Sequence, residues 1–238
     1  MRILFALFLI ASTYSSAAEL VVAAASDLSR LGPDLAEAYQ RVNGATIRFS
    51  YGSSGSLARQ IENGAPFDVF LSANQEFVNE GLKNGWLRRG SDRVYAVGHL
   101  AVWSRSGGFR KLDDLRAASV LHVAIANPAL APYGAAAKQA LERAGLWEAV
   151  RGKLVYGENI RQALQFAESG NAEAAIVSWS LVFDQRGVRL PDGSYDPIRQ
   201  AGAVTTRSSQ PGEAARFLEF LRSATGRAVL SRYGLDAR

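Results

Sequence analysis

Residues 46–61 read TIRFSYGSSGSLARQI, with Gly and Ser alone filling 52–56 between a strand-like run and a helix-like run. Five such residues usually make a flexible linker, but here the two patterns leave no room for one. What fits is a tight turn into a helix. A helix starts with N–H groups that lack intrahelical partners and with the positive end of its dipole. Glycine keeps that backbone approachable, and serine adds O–H donors. Together they form a cradle for an anion, built from neutral donors. The same kind of junction recurs at AAASDL around Ser26, ANPALAPYGA around Tyr133, GENIR around Ile160 and IVSWS around Ser178, and none of these contains Lys. Ser26, Ser54, Tyr133, Ile160 and Ser178 are therefore the candidate ligand-binding residues. A plainer reading, that Ser26 and Ser54 only cap helices, stays open at this stage.

Other chemistries fit less well. A nucleophilic serine would need a second glycine two residues after it, and Gly52–Ser53–Ser54–Gly55–Ser56 lacks that pattern. The histidines are His99 and His122, both in strand-like stretches, and no His, Asp or Glu cluster has metal-ligand spacing. A serine hydrolase is the enzyme alternative. The expectation is a binding protein with no catalytic residue, no cofactor and no directly ligated metal.

The elements that would position these junctions alternate along the chain. ELVVAAAS, ATIRFSY and DVFLSA read as strands, and LSRLGPDLAEAYQRVNG, SLARQIENGA and NQEFVNEGLKNG as helices. VYAVGHLAVWSR reads as two strands about Gly98. LHVAIANP, LVYGEN, AEAAIVS and IRQAGAVTT continue the strands, YGAAAKQALERAG and IRQALQFAESG the helices, and GEAARFLEFLRS and GRAVLSRYG close the chain. Alternation of this kind implies α/β architecture with mainly parallel sheets covered by helices. In such sheets ligands sit beyond the carboxyl ends of the strands, where the candidate residues fall. The expected division is a leader over 1–18, a first lobe of 19–98 plus 205–238, and a second lobe of 99–204.

Composition agrees with a folded, exported chain. Of 238 residues, 48% are hydrophobic and 21% charged, which suffices for two packed lobes. The net charge of +5 is scattered rather than clustered, so nucleic acid is not an expected partner. MRILFALFLIASTYSSAAEL has one Arg, an apolar run and a small-residue close. It reads as a cleavable secretory leader, cut near Ala18/Glu19, and is too short for a membrane span. The chain has no cysteine, hence neither disulfides nor a thioether-linked lipid. A soluble periplasmic protein is expected.

The blocks AAASDL, YGSSGSLARQIENGAPFDVFLSAN, IANPALAPYGAAAKQALERAGLWE and LVYGENIRQALQFAESGNAEAAIV resemble the periplasmic molybdate-binding proteins of ABC transporters. The resemblance runs over nearly all of the chain after the leader. It implies a type II periplasmic-binding-protein fold with an oxyanion, molybdate or tungstate, in the interlobe cleft. The partners implied are an inner-membrane ABC permease and its cytoplasmic ATPase, with the receptor itself a monomer. It also implies hydroxyl and backbone donors from Ser26 and Ser54, a backbone donor and an added hydroxyl from Tyr133, and a backbone donor from Ile160. Many relatives carry Tyr where this chain has Ser178, so either Ser178 or the Tyr133 hydroxyl completes the set. Asp27 stands where many have an apolar residue. It is expected to turn outward and favour its helix dipole; the alternative is that it accepts a proton from a ligand such as hydrogen phosphate. Phosphate or sulfate is the alternative ligand on the same fold.

Overall fold

The computed structural model describes residues 19–238; the expected leader, 1–18, lies outside the described residues. The first lobe is built on β1 (Glu19–Ala25), β2 (Thr46–Gly52), β3 (Val69–Ser72), β4 (Arg93–Gly98), β10 (Ile198–Val204) and β11 (Asp236–Ala237), in the sheet order β11-β4-β10-β3-β1-β2. Its helices are α1 (Gly32–Asn43), α2 (Ser54–Glu62), α3 (Gln75–Asn84), α8 (Pro211–Arg222) and α9 (Ala224–Arg232). The second lobe is built on β5 (Leu100–Trp103), β6 (Val123–Ala126), β7 (Leu154–Gly157), β8 (Ala174–Ser178) and β9 (Val188–Arg189), in the order β7-β6-β8-β5-β9. Helices α4 (Pro132–Arg143), α5 (Trp147–Val150), α6 (Ile160–Glu168) and α7 (Trp179–Val182) cover it.

The unbroken apolar runs follow from burial on both faces. On β1, Leu20, Val22 and Ala24 join Leu35, Tyr39, Phe217 and Leu221, whereas Ala23 joins Leu57, Ile61 and Phe70 on the opposite face. The period-two alternation of strand side chains puts neighbours into separate cores. In the second lobe one core gathers Val123, Ile125, Ala137, Leu141, Leu164 and Ile176.

β1 runs parallel to β2 and β3, and β6 parallel to β7 and β8. β10 is antiparallel to β3 and β4, and β5 antiparallel to β8 and β9. Both sheets are thus mixed. The reason is the crossover: a strand that arrives from the other lobe enters at the carboxyl end of its neighbours and must run against them.

The first crossover lies between Gly98 and Leu100, where β4 ends and β5 begins. The lobe boundary expected at 204/205 puts the second crossover there, and the sheet places it earlier. β10 already pairs with β3 and β4 from Ile198 onward, so residues 198–204 belong to the first lobe and not to 99–204. Ala201 and Ala203 pack with Phe70, Val78 and Trp86. The small residues on β10 suit a central strand: a Cβ on Gly202 would lie 2.5 Å from Leu71 and 2.9 Å from Leu218. β9 and β11, at two residues each, are too short to show periodicity in the sequence.

α8 fastens the chain's end to the first lobe through Phe217, which is fully buried with its ring edge-on to Tyr39 at 5.1 Å. Phe217→Ala is expected to cost about 3–5 kcal/mol of stability, read as a lower urea midpoint. A loss under about 1 kcal/mol would mean that α8 is not part of this core.

Candidate ligand-binding site

Three helix starts share one device: a neighbouring residue caps the helix or lacks an N–H, which leaves the candidate residue's own N–H to others. In α2 the N-cap is Ser53, whose Oγ accepts the Ser56 N–H at 3.3 Å and donates to Ser56 Oγ at 2.8 Å. Ser54 is the first helical residue and does not cap. Its Oγ accepts the Ala73 N–H at 3.0 Å, so its hydroxyl proton remains to be donated. In α6 the cap is Asn159, whose Oδ1 accepts the N–H groups of Arg161 at 3.0 Å and Gln162 at 3.1 Å. The N–H of Ile160, at the first position, is left outside that cap. α4 starts at Pro132, which has no N–H, so Tyr133 is the first residue of that helix able to donate. Ser26 opens a 3-10 turn, Ser26–Leu28, whose N-cap position is Ala25.

These junctions meet where the lobes meet. The Ser26–Leu28 turn packs against α6 and α7. The first turn of α2 touches the loop before α4, with the Gly55 N–H donating to Leu130 O at 2.9 Å. Only glycine allows that approach, since a Cβ at 55 would come within 2.9 Å of Leu130 O and 3.0 Å of the Phe77 ring. At the rim, Arg30 of the first lobe forms a bidentate pair with Asp184 of the second, both contacts at 2.5 Å.

Asp27 does not turn outward. It is fully buried, and its Oδ2 accepts the Tyr133 hydroxyl at 3.1 Å and Gln200 Nε2 at 2.5 Å. Its backbone oxygen accepts Ser180 Oγ at 2.8 Å, and Ser180 Oγ lies 2.8 Å from Ser178 Oγ. A three-residue 3-10 turn offers little dipole for a carboxylate to favour, and the second lobe closes over the side chain instead. The Tyr133 and Ser178 hydroxyls therefore both have partners in this seam. Burial pushes the Asp27 carboxyl up to about 7, against the opposing hydrogen bonds from Gln200 and Tyr133. Burial and the nearby Asp27 charge hold the Tyr133 and Tyr95 phenols well above their usual value.

Sequence reasoning missed Gln200, Tyr95 and Ser180. A signal existed for Gln200, a polar residue inside the apolar run IRQAGAV. Gly98 also gains a second meaning: a Cβ there would lie 2.0 Å from the Tyr133 hydroxyl. The histidines are not part of this site. His99 sits in the first crossover beside Arg189 at 3.0 Å and Asp236 at 2.9 Å, and His122 faces Glu173 at 4.0 Å.

Residues 20–236 match the signature described as bacterial extracellular solute-binding protein. A molybdate-binding protein of Azotobacter vinelandii is 37% identical over 230 residues, covering 92% of this chain and 90% of that one. The structure of an Azotobacter vinelandii periplasmic molybdate-binding protein superposes with a TM-score of 0.86 at 27% identity, covering 91% of this chain and 98% of that one. The substrate-binding domain of a molybdenum ABC transporter described as putative, from Clostridium difficile, superposes at 0.70 with 26% identity, covering 92% and 99%.

The separation of cap from donor is testable. Ser53→Ala is expected to lower stability by about 0.5–2 kcal/mol, read from thermal unfolding, because the capping acceptor is lost. Unchanged stability would return the capping role to Ser54.

Proposed function

We propose that this chain, which belongs to the bacterial extracellular solute-binding protein family, is a periplasmic receptor that captures a tetrahedral oxyanion. The ligand is molybdate, and by the same chemistry tungstate. The receptor hands it to an inner-membrane ABC permease driven by a cytoplasmic ATPase. The observation that carries this reading is the set of helix starts in which Ser53, Asn159 and Pro132 leave the N–H groups of Ser54, Ile160 and Tyr133 outside the caps. The relatives named as molybdate-binding support the choice of anion.

The energetics are sufficient without a cation. A hydrogen bond to a charged group nets about 1.5–3 kcal/mol, and nanomolar affinity needs about 12 kcal/mol. Roughly six to eight bonds reach that value, less the cost of ordering the lobes. Ser26, Ser54, Tyr133 and Ile160 supply N–H groups, and Ser26 and Ser54 add hydroxyls. Discrimination against sulfate then comes from size. The metal–oxygen bonds of molybdate and tungstate are longer than sulfur–oxygen bonds, so a rigid ring fitted to them leaves sulfate under-coordinated. On this reading the chain acts by binding and release; among the described residues the hydrogen-bond partner of Ser54 Oγ is the Ala73 N–H, which is not a base.

Calorimetric titration with molybdate, tungstate, sulfate and phosphate tests the assignment. Tight binding of molybdate and tungstate with weak sulfate supports it; preference for phosphate or sulfate overturns it. Ser54→Ala is expected to weaken molybdate binding roughly 10- to 150-fold, the equivalent of about 1.5–3 kcal/mol. Ser54→Asp should fold and not bind, because it sets a fixed negative charge against the anion. Retention of parental affinity by Ser54→Asp would remove residue 54 from the site.

A further inference from the structure

Asp27 joins the two lobes through a side-chain hydrogen bond. It lies in the 3-10 turn just after β1 in the first lobe, and the Tyr133 hydroxyl that it accepts lies on α4 of the second. The Ser180 hydroxyl reaches its backbone from the second lobe as well. Asp27 Oδ1, Gln200 Oε1 and Tyr95 Oη are buried and lack hydrogen-bond partners among the described residues. Asp27 Oδ1 and Gln200 Oε1 are acceptors without a donor, so ionisation would leave a charge shared with an unpaired buried oxygen, whereas a carboxylic acid supplies a donor.

Among the described residues no cation offsets a charge there. The hydrogen-bond partners of Asp27 are the neutral side chains of Tyr133 on α4 and Gln200 on β10. β4 contributes the Tyr95 phenol, and the segment from β8 into α7 contributes Ser178 and Ser180. On α6, which packs on the same turn, Arg161 is tied to Glu168 at 2.7 Å. On β2 the ionisable neighbour is Tyr51, whose phenol burial pushes up to about 12. Arg30, three residues along, is held by Asp184.

We propose that Asp27 is a proton-linked latch between the lobes: it is the neutral carboxylic acid in the closed seam, takes up a proton as the lobes close, and releases it as they open. In the open arrangement water reaches the carboxyl, which returns to its ordinary value of about 3.9. Closed, it stands at about 7. A raised value in the closed form means that closure is strongest at low pH and weakens by up to tenfold per unit between these limits. It levels off above about 7. A bound dianion beside the seam pushes in the same direction, since it repels the ionised form. Release of the anion and release of the proton are thereby linked.

The latch is tested first without any ligand. The chain has no cysteine, so Arg30→Cys with Asp184→Cys permits a bismaleimide tether across the rim that holds the lobes together. The Asp27 carboxyl carbon is then titrated by NMR and identified by its loss in Asp27→Asn. A midpoint near 7 in the tethered chain, falling to the ordinary carboxylate range when a disulfide built into the bismaleimide linker is reduced, supports the latch. An ordinary value in the tethered chain overturns it, whatever the chain binds. The second arm rests on the oxyanion reading and uses molybdate. Affinity is expected to fall about thirtyfold from pH 5.5 to pH 8, with net proton uptake on binding at pH 6.5. Asp27→Asn, which keeps the size and an acceptor, should flatten that profile. Binding that takes up no proton and varies identically in Asp27→Asn also overturns the latch. Failure of every oxyanion to bind overturns the ligand assignment instead, and leaves the tethered titration to decide on Asp27.

Discussion

A helix cannot satisfy the N–H groups of its own first turn, and the architecture of this chain follows from where it directs that deficit. Three helices, α2, α4 and α6, begin at strand ends that face the seam between the lobes. At each start the residue that caps, or that has no N–H to offer, is not the residue that donates. Ser53 caps for Ser54 and Asn159 for Ile160, while Pro132 cedes the first donor to Tyr133. Donors fixed in rigid secondary structure need little rearrangement to meet an anion. They carry no charge of their own, so they favour an anion without holding it by a cation that would also have to be desolvated.

Close approach of the lobes imposes the second constraint. Gly55 and Gly98 sit where any side chain would strike the opposite lobe, at Leu130 O and at the Tyr133 hydroxyl. The GSSGS turn thus divides its work. Ser53 caps and Ser56 braces the cap, Gly55 admits the second lobe, and Ser54 keeps a hydroxyl proton to donate. Asp27 occupies the same contact surface, and neutral partners from both lobes surround it. An ionisable group in that position ties the energetics of closure to its protonation.

Much of this was legible in the sequence, for identifiable reasons. Most strand runs are apolar on both faces, β2 alternates instead, and the helices carry apolar residues at i and i+4, so the alternation of elements stood out. The glycine–serine turn and the Pro132–Tyr133 pair marked helix starts. Three features were not legible. The second crossover was placed after β10, because the pattern of IRQAGAV does not say which sheet it joins; pairing with β3 and β4 decides that. Asp27 reads as an ordinary first-turn acid, and only the fold reveals that its turn is too short to carry a dipole and is covered by α6 and α7. Gln200 lies 173 residues from Asp27, a separation that no local pattern encodes.

The central claim is that neutral donors at converging helix starts hold an oxyanion between the lobes. The most direct test is a crystal structure of the chain with tungstate, in which anomalous scattering locates the tungsten atom independently of any assumption about the site. The account predicts a single strong peak in the interlobe seam, with the oxyanion within hydrogen-bond distance of the N–H groups of Ser26, Ser54, Tyr133 and Ile160 and with no Lys or Arg in contact. A peak elsewhere, or one held by an arginine or lysine side chain, would contradict it.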